Sequence, residues 1–400
     1  MKRVLIWDKN AKINNSGGPA GYMWNIKQYL DANPKDEVKF YSDILNIDKP
    51  VKRTFKHLHP IRILLYILDI FRVPLAKQLL GTYFSVGNLT SEEKEKIKAF
   101  DYVHFHSVSM MNAYGKQIKT LGLKTILTTH SPELGIDEIF SGSYKYSLFL
   151  KRHKKVKNFF VKREKKYLEK ADYLMYPVPQ VKECFFDSDA EKIKEYLLSN
   201  QKKIFYVPTG IIDQNENEIQ HSHYLDGLNI PKEAIKICYV GRHNEIKGYP
   251  YLKRIAKEIL KLRRDVYFII GGQQSEELPL EDKNWIELGW VQTKSLLKEI
   301  DYFILPNKVT YFDIIALEIL RAGVPLITTY TGGNKYLSTV NTGGIQFISN
   351  DDVKEAVKAI LSLVDGGIQN KGILNRCLFE KEFSMAHYID RYVDSIQKIS

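Results

Sequence analysis

Two stretches in the second half of the chain combine residue types that suit a phosphorylated, hydroxyl-rich ligand. The first is Gly241-Arg242-His243-Asn244-Glu245-Ile246-Lys247-Gly248, a glycine-bounded turn directly after the strand-like run Ile235 to Val240. Arg offers a planar fork of donors and Lys a point charge, which together suit a pyrophosphate. The competing reading of Lys247-Gly248 is a solvated turn. The second stretch runs from Asp313 to Glu318, then through Gly323-Val324-Pro325 to Gly332-Gly333. Glu318 stands among Ile314, Ile315 and Leu317, and an acid on an apolar helix is costly unless it meets a partner or a ligand. Arg321, three residues on, is the structural alternative. Two cations for phosphates and an acid for hydroxyls describe a nucleotide-sugar site.

The first half offers weaker signals. Asn14-Asn15-Ser16-Gly17-Gly18-Pro19-Ala20-Gly21 follows the first strand and opens a helix. Glycines there let backbone amides approach an anion, and the helix terminus adds partial positive charge; the alternative is a turn that only reverses the chain. The run is not GxGxxG, so a dinucleotide is a poor fit. His130, in Thr128-Thr129-His130-Ser131-Pro132-Glu133, follows a strand, where an imidazole can donate to a sugar hydroxyl or bond a neighbouring carbonyl. His104 and His106 alternate along another strand, so one of them points into the core. Asp187-Ser188-Asp189 resembles a metal-binding DxD but lies between helical patterns and reads as a helix cap. His221 and His223 lack further residues at metal-ligand spacing. Neither Gly-x-Ser-x-Gly nor Gly-x4-Gly-Lys-[Ser/Thr] occurs, which sets aside the commonest hydrolase and NTPase readings.

Four hundred residues hold two domains with full cores, and the hydrophobic share of 44% is that of an ordinary globular chain. Cys184, Cys238 and Cys377 match neither a disulfide framework nor a metal site, so a cytoplasmic location is expected. Met1-Lys2-Arg3 and Val4 to Trp7 read as a first strand rather than a signal peptide. No apolar run is long enough to span a membrane. The net charge of +12 calls for an anionic partner. Lys151, Arg152, Lys154, Lys155 and Arg163 crowd one helix with Phe159 and Phe160, and Lys52, Arg53, Lys56 and Arg62 precede an apolar run from Ile63. Cations beside apolar groups suit peripheral docking on an anionic inner membrane face, where an acceptor would be met; a solvated helix face is the alternative. No nucleic-acid-binding module is recognisable, so no nucleic acid is expected as partner.

Short apolar runs alternate with helical patterns throughout, the sign of parallel α/β architecture. Strands are expected at Arg3–Trp7, Val38–Tyr41, Tyr102–Phe105, Thr125–Thr129, Tyr173–Tyr176 and Ile204–Val207. They recur at Ile235–Val240, Tyr267–Gly271, Trp285–Leu288, Tyr302–Leu305 and Leu326–Thr328. Helices are expected at Pro19 to Leu30, Tyr144 to Ala171 and Phe379 to Ile399. The polar stretch 209–231 divides an N-terminal domain (1–208) from a C-terminal domain (232–378), and the final helix (379–400) caps the second domain or crosses back to the first.

Together these residues resemble the GT-B glycosyltransferases of the large retaining family 4. The resemblance rests on Gly17-Gly18, His130, Gly241-Arg242 through Lys247-Gly248, and Glu318 followed by Ala322-Gly323-Val324-Pro325 and Gly332-Gly333. It implies two Rossmann-like doubly wound domains facing a central cleft. A nucleotide-sugar donor, UDP-linked by preference, would lie in the C-terminal domain, with Arg242 and Lys247 on the pyrophosphate and Glu318 on the ribose. His130 would lie near the transferring sugar, and a glycan or lipid-linked acceptor would occupy the N-terminal domain. Neither metal nor other cofactor is expected. One position departs from the family. The E-x7-E motif would place a Glu eight residues before Glu318, and Thr310 stands there; the glycine after Phe312 is Asp313. Thr310 and Ile314, which flank Asp313, join the expected donor set. Asp313 either replaces the lost acid on the sugar, as a catalytic residue with His130, or marks a silent homologue that binds an active partner.

Overall fold

The computed structural model describes the chain except residues 10, 12, 16–17, 46–59, 71–73, 132, 142–149, 186–190, 214–222, 273–276, 368–369 and 400. Gly17, Lys52, Arg53, Lys56, the Asp187-Ser188-Asp189 triplet and His221 therefore lie outside the described residues. The chain forms two compact units: Met1–Pro208 with Ile389–Ser400, and Thr209–Tyr388.

The first unit is built on a six-stranded parallel sheet of β1 (Val4–Trp7), β2 (Val38–Phe40), β3 (Tyr102–Phe105), β4 (Lys124–Leu127), β5 (Tyr173–Tyr176) and β6 (Ile204–Tyr206). Its order is β2-β1-β3-β4-β5-β6. All four residues of β1 and of β3 are buried, as strands covered by helices on both faces require. The second unit has β7 (Ile235–Val240), β8 (Val266–Gly271), β9 (Trp285–Gly289), β10 (Tyr302–Leu305), β11 (Leu326–Thr329) and β12 (Ile345–Ile348). Read from β9, its order is β9-β8-β7-β10-β11-β12, the doubly wound arrangement whose direction reverses between β7 and β10. Ligands of such sheets bind outside the carboxyl ends of the strands at that reversal.

Helical spacing of apolar residues sets the flanking layers. Between Tyr249 and Leu262 the helix buries Tyr249, Leu252, Ile255, Ala256 and Ile259 against β7 and β8, with Pro250 in its first turn. The expected helix Pro19 to Leu30 is present and spans Gly18–Ala32. Two helices depart from the sequence expectation. Of the expected Tyr144–Ala171 helix, residues 144–149 lie outside the described residues and 150–152 are helical; His153 at φ −110°, ψ 61° interrupts the run, and the basic helix proper spans Lys154–Lys170. The terminal segment is not one helix. A wide turn at Phe379–Phe383 ends at Ser384, whose ψ of 152° is extended, and Met385–Lys398 begins anew. The reason is a backbone pairing: Ile211 donates to Phe383 O at 3.0 Å and bridges Ser384, which turns the chain out of the helix.

Candidate functional site

In the second unit the loops after β7 and β10 are laced together at the sheet's reversal point. Gly241 donates to Gly271 O at 3.1 Å, and the Tyr239 hydroxyl donates to Arg242 O at 2.7 Å. Lys308 donates to Ile246 O at 2.9 Å. Gly248 has φ 70°, and a Cβ there would lie 1.7 Å from Pro306 O, so only glycine lets the two loops approach. His243 points inward, 1% exposed, its ring stacked 4.1 Å from Tyr249. Beneath it Glu287 accepts from Tyr249 at 2.7 Å and from Trp285 at 2.8 Å. Arg242 is exposed and makes no side-chain hydrogen bond or ion pair among the described residues.

Lys247 is not a solvated turn residue. Its Nζ lies 2.8 Å from Asp313 Oδ1, with both side chains mostly buried. Asn307 donates its amide to the other carboxylate oxygen of Asp313. Asp313 begins the helix Ile314–Arg321 but does not cap it with its side chain; its carboxylate turns to Lys247 and Asn307 instead. Ile314 is half-buried in the first turn of that helix. Thr310 is 2% exposed, and its hydroxyl has no hydrogen-bond partner among the described residues. Gly332-Gly333 follows from the same crowding: Cβ atoms there would fall 2.0 Å from Thr310 O and 1.9 Å from Tyr311 O.

Glu318 is half-buried and makes no side-chain hydrogen bond or ion pair among the described residues. Arg321, its sequence alternative, donates instead to Ile212 O at 2.7 Å. Burial raises the Glu318 carboxyl above the usual range, against the opposing charges of Arg321 and Lys294. Lys294 is itself depressed by burial and by Arg321. Lys294 and Asn307 are the polar neighbours that sequence reasoning missed. Asn307 carried one signal, its place two residues beyond β10; Lys294 carried none.

The first unit gathers His104, His106 and His130 at the carboxyl ends of β3 and β4. His106 Nδ1 and His130 Nε2 are 3.0 Å apart with rings nearly parallel, and Tyr22 of the first helix lies 4.8 Å from His130. His104 is fully buried, with Nδ1 2.9 Å from the Tyr392 hydroxyl and Nε2 2.8 Å from Thr128 Oγ1. Burial pushes His130 down to about 4 and His104 to about 3, and takes His106 well below its ordinary value. Gly18, at φ 57°, opens the helix that carries Tyr22.

Of the expected membrane- or acceptor-facing residues, Lys151, Arg152, Lys154 and Lys155 are exposed. Phe160 is not: it is 2% exposed and packs on Tyr83, because the helix needs that face for the core. Arg163 is committed to Tyr83 O at 2.7 Å, with its guanidinium over Phe84, and half-buried Phe159 stacks on Phe84. The exposed stripe continues instead through Lys162, Lys166 and Lys170, and burial with the charges of Lys166, Arg163, Lys116 and Lys119 depresses Lys170. On the helix Pro60–Ile70, Ile63, Leu64 and Ile67 are exposed while Leu65 is buried. That helix packs against Pro74–Phe84, which ends at the Phe84 covered by Arg163.

Residues 234–366 match the family model described as Glycosyl transferases group 1. Sucrose-phosphate synthase from Thermosynechococcus elongatus superposes with a TM-score of 0.59 at 15% identity, covering 99% of both chains. HepE of Anabaena, in complex with UDP-glucose, gives 0.60 at 12% identity over 99% of this chain and 100% of that one. The chain has the GT-B fold. The matched residues lie in the second unit and run from the strand before Arg242 past Gly333. An uncharacterized 41.2 kDa protein in the cps region of Klebsiella pneumoniae is 26% identical over 251 residues, 58% of this GT-B chain and 61% of its own length. Among the described residues no helix is long and apolar enough to cross a membrane.

Proposed function

We propose that this GT-B chain transfers a sugar from a nucleoside-diphosphate donor, a UDP-sugar by preference, to a glycan or lipid-linked acceptor in cell-surface polysaccharide synthesis. The observation that carries the reading is the polar cluster at the reversal between β7 and β10. There Arg242 is exposed, Lys247 is poised with Asp313, and Glu318 makes no side-chain hydrogen bond or ion pair among the described residues. Arg242 and Lys247 supply charge-assisted donors for the diphosphate, and Glu318 accepts from ribose hydroxyls. UDP is favoured because HepE, which shares the fold, is described with UDP-glucose. The cps-region relative supports the polysaccharide setting. Retention of configuration and independence from metal belong to the same reading and rest on the family resemblance. The exposed cations of the Lys154–Lys170 helix and the apolar Ile63, Leu64 and Ile67 support peripheral docking on an anionic inner membrane face, in the cytoplasm.

A thermal-shift panel of nucleoside diphosphates and their sugars tests it. A ligand at 100 times its dissociation constant stabilises by about 2.7 kcal/mol, enough for a resolved shift. UDP and one UDP-sugar are expected to shift the melt; no shift with any nucleotide overturns the reading. One observation favours a second reading, a silent homologue acting as a binding partner of an active enzyme. Lys247 is already neutralised by Asp313, and Thr310 occupies the family's Glu position. That protein would bind its partner while consuming no donor, even by slow hydrolysis.

A further inference from the structure

We propose that His106 is a positioning residue that holds His130 as its Nδ1–H tautomer, so that His130 serves as a neutral hydrogen-bond donor and not as a base. The assignment follows from counting protons along a buried chain of side chains. Thr128 Oγ1 donates its single proton to Met175 O at 2.9 Å, so it accepts from His104, and His104 is protonated on Nε2. His104 Nδ1 then accepts from the Tyr392 hydroxyl. The ring of His104 is thereby fixed, and it lies 4.0 Å from that of His106.

The next pair allows two arrangements. Between His106 Nδ1 and His130 Nε2, 3.0 Å apart, one nitrogen carries the proton and the other accepts. His106 Nε2 is buried and has no hydrogen-bond partner among the described residues. If His106 carried its proton there, an N–H donor would be orphaned in the interior; if the proton is on Nδ1, Nε2 is only an unused acceptor. Orphaned buried N–H groups are the rarer and costlier of the two. His106 Nδ1–H therefore donates to His130 Nε2, which leaves Nδ1 as the proton-bearing nitrogen of His130. Tyr22, 5.5 Å from His106 and 4.8 Å from His130, restrains both rings from the first helix. Burial keeps the imidazoles uncharged at neutral pH, so the donor is a neutral N–H. The ligand class that fits is an oxygen acceptor, a sugar hydroxyl or a developing oxyanion, and this step rests on the reading of His130 as sugar-facing.

The test uses the full chain with 15N-labelled histidine and nitrogen–proton correlation NMR at pH 7, assigned with single-histidine variants. Both His106 and His130 are expected as neutral Nδ1–H rings and His104 as Nε2–H. An Nε2–H ring at His106 overturns the proposal. His106→Asn keeps an N–H donor near the Nδ1 position and is expected to preserve the His130 tautomer and the turnover of a UDP-sugar. His106→Leu is expected to release His130 to Nε2–H and to lower kcat by roughly tenfold, with UDP affinity unchanged. An unaltered His130 spectrum and full turnover in a folded His106→Leu also overturn it; should that variant not fold, the wild-type spectrum and His106→Asn still decide. Failure of UDP to bind the wild type would defeat the donor reading while leaving the tautomer result standing.

Discussion

Lys247 Nζ and Asp313 Oδ1 meet at 2.8 Å across 66 residues of sequence, joining the loop after β7 to the helix that follows β10. Asn307 holds the second oxygen of the same carboxylate. A cation suited to phosphate thus stands already paired, while Arg242 beside it in sequence is exposed. On the proposed reading, donor binding either displaces this pair or uses it.

Removing the cations measures their share of donor binding. A hydrogen bond to a charged group contributes about 1.5–3 kcal/mol, so Arg242→Ala is expected to weaken UDP binding by roughly tenfold or more. Adding Lys247→Ala should weaken it further. Titration calorimetry reads both, and unchanged affinity in the double variant would remove these residues from the site.

Asp313→Asn separates its two readings. If the carboxylate acts on the transferring sugar, kcat falls while UDP binds as before. If it only competes for Lys247, UDP affinity rises by about 1 kcal/mol with turnover undiminished. The expected outcome is the fall in kcat, and a tighter, equally active variant would count against it.

The close approach at Gly248 predicts a steric effect beyond the backbone one. Gly248→Ala meets both a left-handed φ and the Pro306 carbonyl, and is expected to destabilise by about 2–4 kcal/mol. Gly227→Ala has a similar φ of 75° but open space, and should cost only ~1 kcal/mol. Urea melts of the two variants compare the terms directly; equal losses would mean the loop yields freely.

Glu164 gives a pH signature in the first unit. Burial raises its carboxyl to about 7, against bonds from Gly135 N–H and Tyr83; Asp137 and Glu138 push it the same way as burial. With the folded value above the unfolded one, its contribution is fully present below pH about 4.5 and is lost as pH rises through about 7. The loss is of order 3 kcal/mol. His104, His106 and His130, shifted down, act in the opposite direction as pH falls below about 6.5. The difference in unfolding free energy between wild type and Glu164→Gln cancels the histidines. It should shift towards the variant from pH 5 to pH 8, and a flat difference would refute the raised carboxyl.

Membrane docking is read by sedimentation with vesicles. Binding to anionic but not neutral vesicles, lost at high salt, is expected and should fall in Lys155→Glu plus Lys162→Glu. Ile63→Asn with Ile67→Asn should weaken it by removing the exposed apolar stripe. Tighter binding to RNA than to vesicles at physiological salt would redirect the surface to nucleic acid.

By itself the sequence determined what is local. Alternating apolar runs dictated two parallel α/β sheets, and the Gly241–Gly248 and Asp313–Glu318 stretches carried enough residue-type information to be picked out. Periodicity is written in neighbours along the chain, so it survives without a structure. What only tertiary structure decided is which groups meet. Nothing in the spacing pairs Lys247 with Asp313, sends the Arg321 guanidinium to Ile212 O, or turns Phe160 and Arg163 inward. The break at Ser384 likewise depends on Ile211, more than 170 residues earlier in the chain. Such partners are chosen by how helices pack over a sheet and by which buried polar atoms then need satisfying, and both depend on contacts distant in sequence.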